Sequence, residues 1–126
     1  MINELARKAR KAARLLRERE WRRGLRSGVA ASIEHDRLPL RRDLRSVIDV
    51  GANRGQFALY SRVRFPAATI YCFEPLQAPR RKLERLFAND ARVQLFAVAA
   101  GSAPGTSTRA SRPLFDWAGF RLVRGS

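Results

Sequence analysis

Two acidic residues, one near the end of a short apolar run that leads into a glycine-bearing turn and one directly after a second such run, are the residues of this chain best placed to do chemistry. Asp49 lies in Val47-Ile48-Asp49-Val50 and is followed by the loop Gly51-Ala52-Asn53-Arg54-Gly55. Glu74 closes the second run, Thr69 to Phe73. A carboxylate at the carboxyl end of a strand can accept two hydrogen bonds from a ribose diol. The loop must turn sharply out of its strand and let a ligand approach the backbone, and Gly51 and Gly55 present no side chain to block it. Asn53, between them, tolerates left-handed backbone angles better than other non-glycine residues. The loop then feeds a helix N-terminus, whose free N–H groups and positive dipole end suit a carboxylate or phosphate. Asp49 is costly in an apolar strand unless paired. It could hold the loop N–H groups, face a cationic ligand group, or act only as a loop brace.

The spacing narrows the ligand. A nicotinamide site would carry Gly-x-Gly-x-x-Gly and a P-loop would carry Gly-Lys-Ser/Thr, and Gly51-Ala52-Asn53-Arg54-Gly55 is neither. One acid before the first glycine and a second after the next strand suit a ligand with an amino-acid end and a ribose end. S-adenosylmethionine has both. No metal is expected at the site.

The elements around these residues follow from patterning. Ser46–Val50 reads as a first strand, apolar on both sides as if covered by helices on both faces. A helix is expected over 56–65, with Phe57, Tyr60 and Val63 or Arg64 at helical spacing and Pro66 ending it. Thr69–Phe73 reads as a β-branched and aromatic strand. A second helix is expected over 77–88, with Leu83, Leu86 and Phe87 inward and Arg80, Arg81, Lys82 and Arg85 outward, and a third strand over 92–98. The order β-α-β-α-β predicts a parallel sheet with right-handed crossovers. Upstream, residues 3–25 favour helix by composition, with a thin stripe of Leu5, Ala9, Ala12 and Leu16. That helix either lies on a membrane surface or RNA, or packs lightly on the domain as an extension. Residues 24–45 read as a linker with a short helix at most, and His35-Asp36 as a surface loop lying outside the site.

Composition bounds the rest. The 126 residues suit one domain and carry a net charge of +15. The excess is spread along the chain: the first 45 residues hold 14 Lys/Arg against 6 Asp/Glu, and the remainder 12 against 5. Such a chain is drawn to nucleic acid or anionic surfaces by charge alone, although a dedicated patch would be more localised. The single cysteine, Cys72, allows no internal disulfide and reads as a small buried hydrophobe. No run of about 18 apolar residues is present, so no membrane span is expected. The N-terminus lacks the apolar core of a secretory signal, and a cytoplasmic protein is expected.

The run Val47 to Phe57, with Phe65-Pro66 and Ile70-Tyr71-Cys72-Phe73-Glu74-Pro75, resembles the FkbM family of S-adenosylmethionine-dependent methyltransferases. Leu83, Asn89, Val93 to Ala99 and Gly101 continue the likeness, which covers roughly residues 46–105. The resemblance implies a Rossmann-like class I methyltransferase sheet. It implies that Asp49, Gly51, Asn53 and Gly55 line the methionine end of the cofactor, with Ala52 in the same binding set, and that Glu74 binds the ribose hydroxyls. It implies O-methylation of a small-molecule or glycan acceptor, on a sugar or a natural-product hydroxyl. No residue stands out as the catalytic base. The family's later Lys-x-Asp-x-x-Gly-x-Glu-like stretch is not in this sequence, and the Arg-rich stretch from Thr106 departs from the family. The organisation expected is therefore a basic helical extension and linker (1–45), the N-terminal half of a cofactor-binding domain (46–105) and an irregular tail (106–126). A truncated or frame-shifted reading frame would account for it, and such a chain is expected to be weakly active or inactive alone. The rival expectation is a basic nucleic-acid- or anionic-surface-binding protein.

Overall fold

The computed structural model describes residues 1–100 and the backbone of 106–107 and 112–115. Its centre is a three-stranded parallel sheet of β1 (Ser46–Val50), β2 (Thr69–Phe73) and β3 (Val93–Phe96), in that spatial order. The register pairs Val47 with Ile70 and Asp49 with Cys72 on one side of β2, and Ile70 with Val93 on the other. Two helices make the crossovers, α3 (Gln56–Arg64) and α4 (Gln77–Leu86). Phe65 leaves helical angles at φ −123°, ψ 73° because Pro66 excludes the α region for the residue before it. Pro79 is tolerated because it falls in the first turn of α4.

Both crossovers step across the sheet in the same direction. With right-handed connections that puts α3 and α4 on the same face. Burial agrees: along β1, Val47 and Asp49 are buried, while Ile48 and Val50 are 47% and 55% exposed. The expectation of helices on both faces of β1 is thus corrected. Its continuous apolar run came from β-branched residues favoured in any strand, not from two-sided burial. On the face away from the helices, Phe73 and Phe96 are register partners and stack at 5.0 Å between centroids. The core lies between the helices and the other face. Leu59, Tyr60, Ile70, Cys72 and Leu83 are fully buried there, together with Ala58, Phe65 and Ala68.

The N-terminal region is two helices rather than one, α1 (Ile2–Leu15) and α2 (Arg19–Arg26). A continuous helix would set Leu15 and Trp21 about 120° apart around its axis. The break at 16–18 lets both reach the core, at 4% and 7% exposure. Arg22 Nη1 donates to the carbonyls of Leu16 (2.7 Å) and Arg17 (3.1 Å), serving acceptors that the end of α1 leaves open. Leu5, Ala9, Ala12 and Leu16, the expected stripe, are all exposed, and Leu15 is the residue of α1 that docks. Trp21 Nε1 donates to the Leu59 carbonyl at 3.0 Å and fixes α2 on α3. A single 3-10 turn, Ile33–Arg37, follows before β1.

Beyond β3, Ala99–Ala100 (β4) pairs in parallel with Arg112–Phe115 (β6), which pairs antiparallel with Thr106–Ser107 (β5). The stretch read as an irregular tail therefore contributes two short strands, and its remainder lies outside the described residues. Among the described residues, no helix is long and apolar enough to cross a membrane.

Candidate functional site at the carboxyl end of the sheet

Parallel pairing of β1 with β2 brings Asp49 and Glu74 to the same end of the sheet, where the Glu74 charge raises the cost of ionising Asp49. The loop between them has three left-handed residues: Gly51 (φ 76°), Asn53 (φ 52°) and Gly55 (φ 101°). Asn53 thus does what its residue type allows, taking a conformation otherwise left to glycine. The turn is stitched to the end of β2. The N–H groups of Gly51 and Ala52 both donate to the Phe73 carbonyl, at 2.9 and 3.0 Å.

Glu74 is the brace of this loop. Its Oε2 accepts from Asn53 N–H (2.8 Å), and its Oε1 accepts from Leu76 N–H (2.7 Å) just before α4. With 5% exposure it is a buried carboxylate held by two backbone donors. Each oxygen retains a second lone pair, so a diol can still be accepted by the same group.

Asp49 takes the complementary part. It is 9% exposed, and its Oδ2 is buried with no hydrogen-bond partner. Burial pushes its pKa up to about 6, helped by the nearby Glu74 charge and opposed by His35. A buried carboxylate without a donor is an acceptor prepared for a cation or an N–H group. Of the roles open to Asp49, the loop brace falls to Glu74, and Asp49 keeps an acceptor without a donor.

The glycines also divide. A Cβ at Gly51 would meet nothing within 4 Å, which leaves open space over the turn. A Cβ at Gly55 would lie 2.7 Å from Leu83 Cδ1 and 3.1 Å from Phe87 Cε2. Gly55 therefore serves the close approach of the start of α3 to α4, not that of a ligand. Ala52 is buried and joins the hydrophobic core. Cys72, opposite Asp49 in the register, is a buried thiol whose pKa is pushed up to about 12 by burial and by Asp49. It behaves as the small hydrophobe its position suggested.

Patterning missed His35. The 3-10 turn folds back over the first turns of α3, with Ser32 N–H donating to the Gln56 carbonyl at 3.0 Å. The imidazole packs at a tilt against Phe57 (4.7 Å) and Tyr60 (5.6 Å), and Nδ1 sits 2.9 Å from the Ser32 carbonyl, which assigns the Nδ1 proton. It is close enough for its charge to lower the pKa of Asp49. Asp36 turns elsewhere, accepting from Tyr60 Oη at 2.9 Å and pairing with Arg14. The His35-Asp36 dipeptide is therefore neither a catalytic pair nor a bland surface loop. Its two side chains serve different sites, and only the fold of the 3-10 turn reveals it.

No family model matches the chain. A 63-residue stretch, 49% of the chain, is 41% identical to part of the AMB antimetabolite synthetase AmbE of Pseudomonas aeruginosa. That stretch spans 3% of the synthetase's length. The architecture defines an α/β chain with a small parallel sheet, the form of half a Rossmann-like domain.

Proposed function

We propose that residues 46–100 form a cofactor half-site for S-adenosylmethionine and that the chain belongs to the chemistry of O-methyl transfer. The observation that carries this reading is the buried, unpartnered Oδ2 of Asp49 at the mouth of a left-handed turn. Such an atom fits the ammonium of the cofactor's methionine end. The open side of Gly51 gives the ligand room against the backbone, and Glu74 offers its remaining lone pairs to a ribose diol. When bound, the cofactor supplies the electrophilic methyl group. The chain's own residues bind and orient it, which is where most of the catalytic contribution of such a site lies.

The motif likeness to FkbM-type methyltransferases supports a hydroxyl acceptor. The likeness to a segment of an antimetabolite synthetase favours a natural-product scaffold over a glycan. None of the described side chains is placed as the base for such an acceptor, so cofactor binding is the direct readout. Calorimetric titration of S-adenosylmethionine should show one site. At about pH 6, binding should release up to roughly half a proton as the ammonium draws Asp49 into its ionised form. Asp49→Asn should bind at least about tenfold more weakly, the scale of one charge-assisted hydrogen bond, and release no proton. Equal affinity in the two proteins would end this reading.

A further inference from the structure

We propose a second binding site, for a phosphate or pyrophosphate group, in the cavity of about 240 Å³ between the α1–α2 turn, the 3-10 turn and the end of α3. Four guanidinium groups line it, from Arg14, Arg17, Arg42 and Arg64, against only two carboxylates, Asp36 and Glu18. Asp36 is already committed. It pairs with Arg14, sits 3.6 Å from Arg64 Nε, and accepts from Tyr60 Oη. Arg64 is only partly served: its Nη2 donates to the Leu40 carbonyl (3.3 Å), but its Nε and Nη1 are buried without a hydrogen-bond partner. Arg17 and Arg42 are exposed on the rim and make no side-chain hydrogen bond or ion pair. The cavity therefore has two free planar forks over a floor of incompletely compensated positive charge. That is the donor set that phosphate oxygens satisfy, by paired charge-assisted hydrogen bonds.

The wall chemistry selects against other ligands. Trp21 Nε1 is committed to the Leu59 carbonyl, so the indole offers surface but no donor. The rim acid Glu18 opposes a long polyanion lying across the mouth and is avoided by a single small anion. The site is independent of the cofactor loop. The 3-10 turn separates them, with Asp36 lining this cavity and the His35 ring packed on Phe57.

The test is calorimetric titration of sodium pyrophosphate into the full chain at about 0.1 M salt, where exposed charges are screened beyond roughly 10 Å. One site per chain is expected. Arg17→Gln/Arg42→Gln should weaken it at least about tenfold, since each fork supplies a charge-assisted contact. The charge-matched control Arg19→Gln/Arg85→Gln, in another arginine-lined cavity, beside Asn89, should leave it unchanged. Asp49→Asn should also leave it unchanged, so the two proposals fail separately. All these arginines are exposed, and a thermal melt of each variant verifies the fold. Equal weakening by both arginine pairs would reduce the effect to net charge and overturn the site. So would several bound ions per chain, or single-stranded oligonucleotide binding that the Arg17→Gln/Arg42→Gln pair does not alter while pyrophosphate fails to bind.

Discussion

Asp49→Asn should stabilise the ligand-free protein at neutral pH, although it removes a charged residue from the candidate site. The carboxyl's folded-state pKa is about 6 against an ordinary 3.8, so the folded state holds its proton more tightly than the unfolded chain does. Below the unfolded value both states are protonated, and the shift costs nothing. As pH rises through the folded value, the folded state must ionise a buried group, and stability falls. Roughly two pKa units at 1.36 kcal/mol each set the full cost at about 3 kcal/mol. The group is nearly buried, so solvent screening takes little from that figure. Asparagine is isosteric and cannot ionise, and its own desolvation does not depend on pH. The informative quantity is therefore the slope of the stability difference, not its absolute value. Urea denaturation of both proteins from about pH 4 to about pH 8 should show the difference moving in favour of Asn by about 2.5 kcal/mol, the rest being already expressed at the acid end. Titrating groups remote from Asp49 are common to the two chains and cancel. A difference that stays flat with pH, or that moves in favour of Asp, would refute the claim that Asp49 is buried without a partner.

Two further substitutions test the loop and the helix crossing. Glu74→Gln keeps the shape of the brace but leaves one of two backbone donors, at Asn53 or Leu76, facing an amide N–H₂. A loss of about 1–3 kcal/mol is expected in urea denaturation, and unchanged stability would show that Glu74 does not hold the loop. Gly24→Ala introduces a Cβ 2.3 Å from Leu59 Cδ1 and 2.7 Å from the Val29 carbonyl where α2 crosses α3. Overpacking of that kind should cost about 1–3 kcal/mol, against the small gain in helix propensity that alanine gives at a free position. A rise in melting temperature would show that the crossing is looser than the structure places it.

What could be seen from residue types alone was the part governed by local physics. Val47 to Gly55 and Thr69 to Glu74 announced strand, turn and acid because β-branched runs, glycines and Asn53 act within a few residues of themselves. Leu83, Leu86 and Phe87 could be placed inward from helical spacing, and they are inward. What failed needed the third dimension. His35 comes near enough for its charge to act on Asp49 only because the 3-10 turn folds over α3, and no spacing along the chain encodes that approach. That Glu74 also braces the loop depends on where Asn53 N–H points once its φ turns positive. The break between α1 and α2 follows from the need to bury both Leu15 and Trp21, which composition cannot express.

The sheet face opposite α3 and α4 follows from the topology and carries its own test. Because both crossovers step the same way, no helix among the described residues covers that face, and Ile48 and Val50 of the first strand remain about half exposed. Among the described residues β1 is also an edge of the sheet, paired with β2 alone. Unpaired backbone beside exposed apolar side chains is a pairing hazard. The two faces of one strand should therefore answer the same substitution differently. Val47→Thr places a hydroxyl in the core, where Val47 is 8% exposed, and should cost about 1–3 kcal/mol. Ile48→Thr replaces a half-exposed residue, keeps β-branching, and should cost well under about 1 kcal/mol while raising the concentration at which the protein stays monomeric in light scattering. Equal destabilisation by the two would mean that the outer face is covered after all, and it would remove the argument that same-handed, same-direction crossovers leave it bare.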